Sequence, residues 1–217
     1  MNNHSLKKLI LILALCFFLQ KLPLRAQGTT FGVGTVASGY CSMAFNVYAT
    51  ASGNASTSFG YFTQAIGNDS TAFGAATTAS GYNSTAFGSG ATASGYGSAA
   101  SGLCTTASGN YSTASGSYVT AASVDSFTVG LANIGGGDPV NWVGTDPLFE
   151  VGNGTYTYIN PEEQIVVPSD AFIVYKNGNS IVGGNLSISG SSNAVLVPPA
   201  GNLSMGAFTY GPHPQHF

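Results

Sequence analysis

The chain has 217 residues, a formal net charge of −3 and only 6% charged residues. Four of its five Lys and Arg residues, Lys7, Lys8, Lys21 and Arg25, lie in the first 26 positions, which leaves Lys176 in the rest of the chain. Nucleic-acid binding needs several Lys or Arg contacts to phosphates, and attraction to anionic lipid needs a polybasic segment. The composition therefore excludes both classes of partner.

Residues 1–26 have the layout of a secretory signal peptide. Lys7 and Lys8 precede an apolar run over Leu9–Leu19, and the small residue Ala26 follows. The run has 11 residues, whereas a membrane-spanning helix needs about 20. We expect cleavage between Ala26 and Gln27 and hence a secreted protein, with an uncleaved anchor as the alternative.

A 14-residue period dominates residues 28–130. It is carried by one alanine register (Ala37, Ala51, Ala65, Ala79, Ala93, Ala107, Ala121) and by one serine register (Ser42, Ser56, Ser70, Ser84, Ser98, Ser112, Ser126). Two glycine registers follow the same step. Such a composition is also typical of flexible linkers, but a strict order with aromatic residues in phase favours a folded stack of identical rungs.

Each rung is expected to contain two short strands. In the clearest copy, residues 79–92, small and large side chains alternate over Ser84–Gly88, which predicts a strand with Ala86 facing inward and Phe87 facing outward. Residues 78–80 are predicted to form a second strand, and glycines supply the turns between them. The fold class predicted is all-β, a parallel β-roll of about seven 14-residue rungs.

A 14-residue coil encloses a very thin interior that admits only small side chains. The predicted roll core consists of Ala37, Ser42, Ala51, Ser56, Ala65, Ser70, Ala72, Ala79, Ser84, Ala86, Ala93, Ser98, Ala107 and Ser112. Large side chains must then point outward, so Phe31, Phe45, Phe59, Phe73 and Phe87 are expected to stack into one ladder. An exposed apolar stripe of this length favours self-association. A loop of the same chain covering the ladder is the alternative.

The motif Ser-x-Ala-x-Gly, spaced against Ala-x-Gly with a 14-residue period, resembles the head repeat of trimeric autotransporter adhesins, the YadA-like or Hep/Hag repeat. The resemblance covers about residues 28–130 and implies a left-handed β-roll, three copies of which pack around a threefold axis. Members of that family have an aliphatic residue, facing the trimer interior, where this chain has phenylalanine. The resemblance thus implies a homotrimer interface formed by Phe31, Phe45, Phe59, Phe73, Phe87 and Val129. The chain departs from the pattern at Ser101 and Ser115, where we expect a weaker contact.

The period ends at Leu131, and the rest of the chain divides into three predicted parts. Residues 131–147 are glycine-rich and form a predicted connector, in which the single tryptophan, Trp142, is more typical of a core cap than of a sugar site. Residues 148–196 form a predicted small, irregular β region with strands at Leu148–Val151, Ile165–Val167, Ala171–Tyr175 and Asn185–Ser189 and a hairpin turn at Asn177-Gly178. Residues 197–217 are a predicted tail rich in Pro and Gly.

The sequence lacks the residue patterns of a catalytic or metal centre. It contains no G-x-S-x-G motif, and His213 and His216 lie in the predicted tail without nearby carboxylates. Cys41 and Cys104 are separated by about 21 Å of stacked rungs, too far for a disulfide within one chain, and are expected to be small buried or loop residues. We therefore expect no enzyme activity, no cofactor and no metal.

These observations predict a secreted adhesin-like head or fibre component at the bacterial cell surface. Its expected partners are two further copies of itself and host matrix proteins, glycans or other cell surfaces. The chain shows no heptad pattern for a coiled-coil stalk and no series of strands typical of a transmembrane barrel. One alternative is ice binding through outward threonine pairs, Thr77 with Thr78 and Thr105 with Thr106; another is a structural protein similar to phage tail fibres.

Overall fold

The computed structural model describes residues 28–160 and 163–184. The predicted signal peptide (1–26), the predicted strand Asn185–Ser189 and the predicted tail (197–217) lie outside the described residues. Every regular element within them is a β-strand. The predicted all-β class is therefore confirmed.

Fifteen strands build the repetitive part of the molecule, two per rung. In chain order they are β1 (Thr29–Phe31), β2 (Val36–Ala37), β3 (Met43–Phe45), β4 (Thr50–Ala51), β5 (Thr57–Tyr61), β6 (Gln64–Ala65), β7 (Thr71–Ala75), β8 (Thr78–Ala79), β9 (Thr85–Ser89), β10 (Thr92–Ala93), β11 (Ala99–Leu103), β12 (Thr106–Ala107), β13 (Thr113–Ser117), β14 (Thr120–Ala121) and β15 (Phe127–Leu131). The odd-numbered strands form one parallel sheet and the even-numbered strands another. Residues 14 positions apart are partners, as in Phe59 with Phe73 and Ala65 with Ala79. The predicted parallel β-roll with a 14-residue period is thus confirmed.

Two corners of each rung use backbone conformations with positive φ. One corner register contains Ala76, Gly90 and Cys104, with φ between 50° and 65°, which is the left-handed region. Another register lies not at a corner but inside the longer strand of each rung. It is represented by Gly88 in β9, whose φ of 122° admits only glycine. A side chain on Gly88 would also overlap the carbonyl oxygen of Gly102 in the next rung. The glycine period is therefore required by the close stacking of rungs.

The interior between the two sheets is filled by small side chains. Every residue of the predicted roll core except Ala37 is 0–1% exposed, and Ala37, near the N-terminal end of the roll, is half-buried. Five buried serine hydroxyls donate hydrogen bonds to the carbonyl oxygen three residues earlier, as in Ser84 to Gly81 at 2.7 Å. The interior thus satisfies most of its polar groups locally.

A further interior register was missed by the sequence analysis. Thr63, Thr77, Thr105 and Val119 occupy it, and all four side chains are fully buried. The hydroxyls of Ser58 and Thr63 lie 2.8 Å apart and form a hydrogen bond. The hydroxyls of Thr77 and Thr105 have no hydrogen-bond partner among the described residues. They are stability defects, because a buried hydroxyl without a partner is costly.

Replacing Thr77 and Thr105 by valine is expected to stabilise the roll. Val119 already occupies the same register fully buried, so the shape fits. We expect a gain of about 1 kcal/mol in unfolding free energy per site, measured by chemical denaturation. The matched control is Thr63→Val, which should destabilise the roll by about 0.5–1.5 kcal/mol because Ser58 loses a partner. Equal effects at all three positions would contradict the assignment.

The sheet continues beyond the end of the 14-residue period. Five more strands are β16 (Pro147–Asn153), β17 (Thr155–Asn160), β18 (Glu163–Val167), β19 (Asp170–Tyr175) and β20 (Ser180–Val182). Strand β16 pairs in parallel with β15, so Phe149 stands opposite Phe127. Strands β19 and β20 then add to the same sheet in antiparallel fashion, as the predicted hairpin at Asn177-Gly178 requires. Strand β17, which the sequence analysis missed, pairs with β18 in a separate two-stranded sheet.

The C-terminal end of the roll is closed by a polar cluster. The side chain of Asn133 accepts a hydrogen bond from the Thr120 amide at 2.7 Å and donates one to the Thr120 carbonyl at 2.9 Å. It thereby replaces the next strand beside β14. The same amide nitrogen donates to the Glu150 carboxylate at 2.8 Å, inside the roll. Burial, followed by the nearby charge of Asp170, raises the pKa of Glu150 to about 7.

The Glu150 carboxyl is expected to make stability fall with rising pH. Its folded pKa lies above the usual value of 4.5, so the folded state binds the proton more tightly. The resulting stabilisation is complete below about pH 4.5 and is lost as pH rises to about 7. We expect Glu150→Gln, which keeps the Asn133 contact, to flatten this profile and to stabilise the protein at pH 8 by about 2–3 kcal/mol. Denaturation at several pH values tests this, and identical profiles for the two proteins would contradict it.

Candidate functional site

The most prominent surface feature is a ladder of phenylalanines on the outer face of the larger sheet. The ring centroids of Phe59 and Phe73 lie 5.1 Å apart and those of Phe73 and Phe87 5.3 Å apart, with the rings nearly parallel. Phe45 continues the ladder at 6.0 Å from Phe59, and Phe31 stands opposite Phe45 in the first strand. In-register parallel pairing forces this stacking, because identical residues lie one rung apart.

The ladder is open on its outer side. Phe59, Phe73 and Phe87 are 43%, 42% and 52% exposed, so none of the described residues covers them. The alternative of a covering loop therefore receives no support within the described residues. A shallow cavity of about 250 Å³ runs beside the ladder and is lined by Asn46, Phe59, Gly60, Tyr61, Phe73 and Gly74. We call this surface, from Phe31 to Phe87, the aromatic face.

Serines interrupt the apolar stripe, which then resumes. Ser101 and Ser115 occupy the register of Phe87 in the next two rungs. Val129 follows in the same register, half-buried, and stands opposite Val151 of β16. The structure thus locates all six residues of the predicted trimer interface in one register of one sheet.

A second apolar column beside Val129 was not identified from the sequence. Phe127 stacks on Phe149 at 5.9 Å, and Phe149 contacts Phe172 edge-on at 6.2 Å. Phe127 occupies the register that holds Thr113 in the preceding rung. The sequence therefore contained a signal for this column, because Phe127 is in phase with the outward threonines. Phe149 gave no such signal, since it lies outside the 14-residue period.

A tyrosine stack occupies a corner of the roll. Tyr82 and Tyr96 stack at 5.2 Å, and Tyr111 contacts Tyr96 edge-on at 5.3 Å. A hydrogen bond to Asp69, together with its charge, raises the pKa of the Tyr82 hydroxyl. In other rungs asparagine occupies the register of Tyr82 and Tyr96. One of these, Asn110, accepts a hydrogen bond on its side chain from the Tyr96 amide at 2.9 Å. This corner offers aromatic and amide groups to a partner.

The threonine pairs proposed for ice binding do not face outward together. Thr77 and Thr105 are fully buried in the roll interior, while Thr78 and Thr106 are only half-buried. The pairing was wrong because Thr77 directly precedes strand β8 and points into the interior, as Ala79 does, while Thr78 between them points away from it. The flat, water-ordering surface required for ice binding is therefore not formed by these residues.

Three further residues singled out from the sequence lie at the surface. Cys41 and Cys104 are free, exposed thiols at corners of the roll with positive φ, so both are loop residues and neither is buried. Trp142 is 57% exposed and carries the Lys176 ammonium 5.0 Å from its ring centroid. The interpretation of Trp142 as a core cap was wrong, because its ring instead supports a cation–π contact.

Titratable residues do not cluster into a catalytic or metal centre in the described part of the chain. Among residues 28–160 and 163–184, no group of three or more His, Cys, Asp and Glu residues is arranged to hold a metal ion. The same residues include no helix with the length and hydropathy of a membrane span. The repetitive outer surface remains the feature with the clearest potential for interaction.

Comparison with known proteins identifies the repeat. The family model described as YadA head domain repeat (2 copies) matches residues 51–77, 65–91 and 79–103. Successive matches begin one rung apart, which agrees with the register of the parallel strands. The head-repeat family inferred from the sequence is therefore confirmed for this part of the chain. No curated protein matches the chain.

Proposed function

We propose, from the YadA head repeat in this chain, that the protein is a secreted homotrimeric head or fibre component that mediates attachment at the bacterial surface without catalysis. Adhesin heads of this family are generally non-enzymatic. The observation that carries the trimer is the aromatic face, an exposed stack of phenylalanines. The interior is already filled with alanine and serine and none of the described residues covers these rings, which supports burial by another chain.

Burial of the aromatic face provides the driving force for assembly. Removing one phenylalanine side chain from water is worth about 1.5–3 kcal/mol, and each rung from Phe45 to Phe87 contributes one ring. Around a threefold axis, equivalent rings of three chains meet at the same height. Ser101 and Ser115 contribute little to this contact, so assembly is strongest in the first five rungs and is supported again near Val129.

Attachment itself is assigned to the remaining outer surface, which repeats with the 14-residue period. Between Gly28 and Asn68 this surface has no charged residue, and it presents tyrosine, asparagine, serine and threonine side chains. Such groups bind through many weak hydrogen bonds and aromatic contacts, and repetition multiplies their effect. Host matrix proteins, glycans and other cell surfaces are the proposed partners.

Binding should scale with the number of rungs. Deleting residues 79–92 removes one rung and joins Thr78 to Ala93 with the register intact. We expect this variant and a second one lacking residues 79–106 to lose binding progressively on immobilised matrix proteins, a glycan array and intact cells. Circular dichroism and thermal unfolding check that the shortened rolls fold.

Two results would argue against the attachment role. If the intact protein binds none of these surfaces, only a structural fibre role remains, similar to that of phage tail fibres. If binding is unchanged by rung deletion, the adhesive site lies outside the roll. A loss confined to the Trp142→Ala variant would then assign attachment to the exposed tryptophan beside Lys176.

A further inference from the structure

Among residues 28–160 and 163–184, the N-terminal end of the roll is an edge of two sheets without a paired strand. Strand β1 is the terminal strand of the larger sheet and pairs only with β3 among the described residues. Strand β2 is likewise terminal in the smaller sheet and pairs with β4. An open strand edge presents backbone donors and acceptors that can pair with another strand.

Hydrogen bonds within the first two rungs identify the free groups. The Thr29 amide donates to the Ser42 carbonyl at 2.8 Å, and the Asn46 amide donates to the Phe31 carbonyl at 2.7 Å. Alternate residues of a parallel strand direct their backbone groups to opposite sides. Thr30, between these two residues, therefore directs both its amide and its carbonyl toward the open edge.

The smaller sheet has the same arrangement. The Val36 amide donates to the Ala49 carbonyl at 2.9 Å, and the Ser38 amide donates to the Ala51 carbonyl at 3.0 Å. Ala37 thus presents its backbone groups outward in the same direction as Thr30. The end of the roll offers two strands for pairing.

This edge lacks the features that usually prevent edge-to-edge association. Natural edge strands are protected by charged side chains, proline or bulges. Residues 28–68 contain no Lys, Arg, Asp, Glu or Pro. Instead, apolar side chains surround the edge, with Phe31 75% and Val33 67% exposed. Cleavage at the predicted site would leave Gln27 as the residue before Gly28 and would not supply a covering strand.

We infer that this edge pairs with the same edge of a second copy of the chain across a twofold axis. In an antiparallel sheet, a hydrogen-bonded pair exchanges both its amide–carbonyl bonds, which is what Thr30 can do with its equivalent. The second copy is favoured over a head-to-tail stack because the Asn133 side chain already occupies the backbone groups of Thr120 at the other end of the smaller sheet.

Charge and the aromatic face agree with this pairing. The side chains of residues 28–68 carry no charge, so the two ends meet without repulsion between charged side chains. Phe31 lies in β1 and begins the aromatic face, so twofold pairing brings the two faces together end to end. The inference does not depend on the threefold assembly, because edge pairing doubles whatever oligomer the aromatic face forms.

The test is the molar mass of the secreted full chain and of its Thr30→Pro variant, measured by light scattering. Proline removes the outward amide and blocks the edge, while the bonds of Thr29 and Phe31 to the second rung remain. We expect the variant to have half the mass of the wild-type protein. Intact mass spectrometry records where each chain begins.

The matched control is Thr30→Val, which keeps the amide and the side-chain shape and should retain the doubled mass. Thermal unfolding verifies that both variants fold. Equal masses for the wild-type and Thr30→Pro proteins would overturn the inference, whether the edge is then free or covered by residues before Gly28. A halving seen with Thr30→Val as well would also overturn it, because the backbone amide would not be responsible.

Discussion

The double substitution Phe73→Asp/Phe87→Asp is expected to reduce the molar mass of the assembled protein to one third. Both side chains project from the aromatic face, at 42% and 52% exposure, and do not contribute to the roll interior. In a single chain, the new carboxylates remain in contact with water. In a threefold assembly, six of them, two from each chain, would be placed in the interface, where each desolvated charge costs several kcal/mol, on the order of 5.

The control for this variant places the same charges elsewhere on the same rungs. Ser80 and Ser94 are exposed and follow the short strands β8 and β10 of the smaller sheet. Ser80→Asp/Ser94→Asp should leave the molar mass unchanged, as measured by light scattering. If both double variants keep the wild-type mass, the aromatic face is not the assembly surface.

Gly88→Ala is expected to destabilise the roll by about 3 kcal/mol or more. Gly88 has a φ of 122°, a conformation essentially closed to other residues, and a methyl group there would overlap the carbonyl of Gly102. The overlap can be relieved only if the two rungs separate, and this separation breaks the backbone hydrogen bonds between them. Thermal and chemical denaturation measure the loss.

The same substitution two positions later provides the matched control. Gly90 has a φ of 65°, in the left-handed region, and a methyl group there would lie 3.2 Å from the Cys104 sulfur. Ala76 occupies the same corner one rung earlier with a φ of 52°. We therefore expect Gly90→Ala to change the unfolding free energy by less than about 1 kcal/mol. Comparable losses at both glycines would contradict the steric explanation.

The periodic part of the fold could be predicted because parallel in-register pairing makes structure follow sequence directly. A residue that recurs every 14 positions lies in the same environment in each rung, so Ala79 and Ala93 share a buried register and Phe73 and Phe87 share an exposed one. The glycine registers follow from the same stacking. The outward aromatic face was therefore predictable down to individual residues.

Two kinds of feature could not be predicted in this way. One is the interior register of Thr77 and Thr105, which follows the 14-residue step but changes residue type, to Val119 for example. The other comprises features that depend on non-periodic residues. Strand β16 joins the larger sheet after a longer step, from Phe127 to Phe149, which breaks the period. The cap formed by Asn133 and Glu150 depends on side-chain hydrogen bonds between distant segments, and neither residue stands out in the sequence.

Native mass spectrometry of the protein tests most directly the central claim that the aromatic face joins three copies. We expect assemblies of three chains, or of six where the N-terminal edges also pair. The Thr30→Pro variant should contain three chains alone. A stable, soluble population of single chains or of pairs, with no species of three or six, would contradict it.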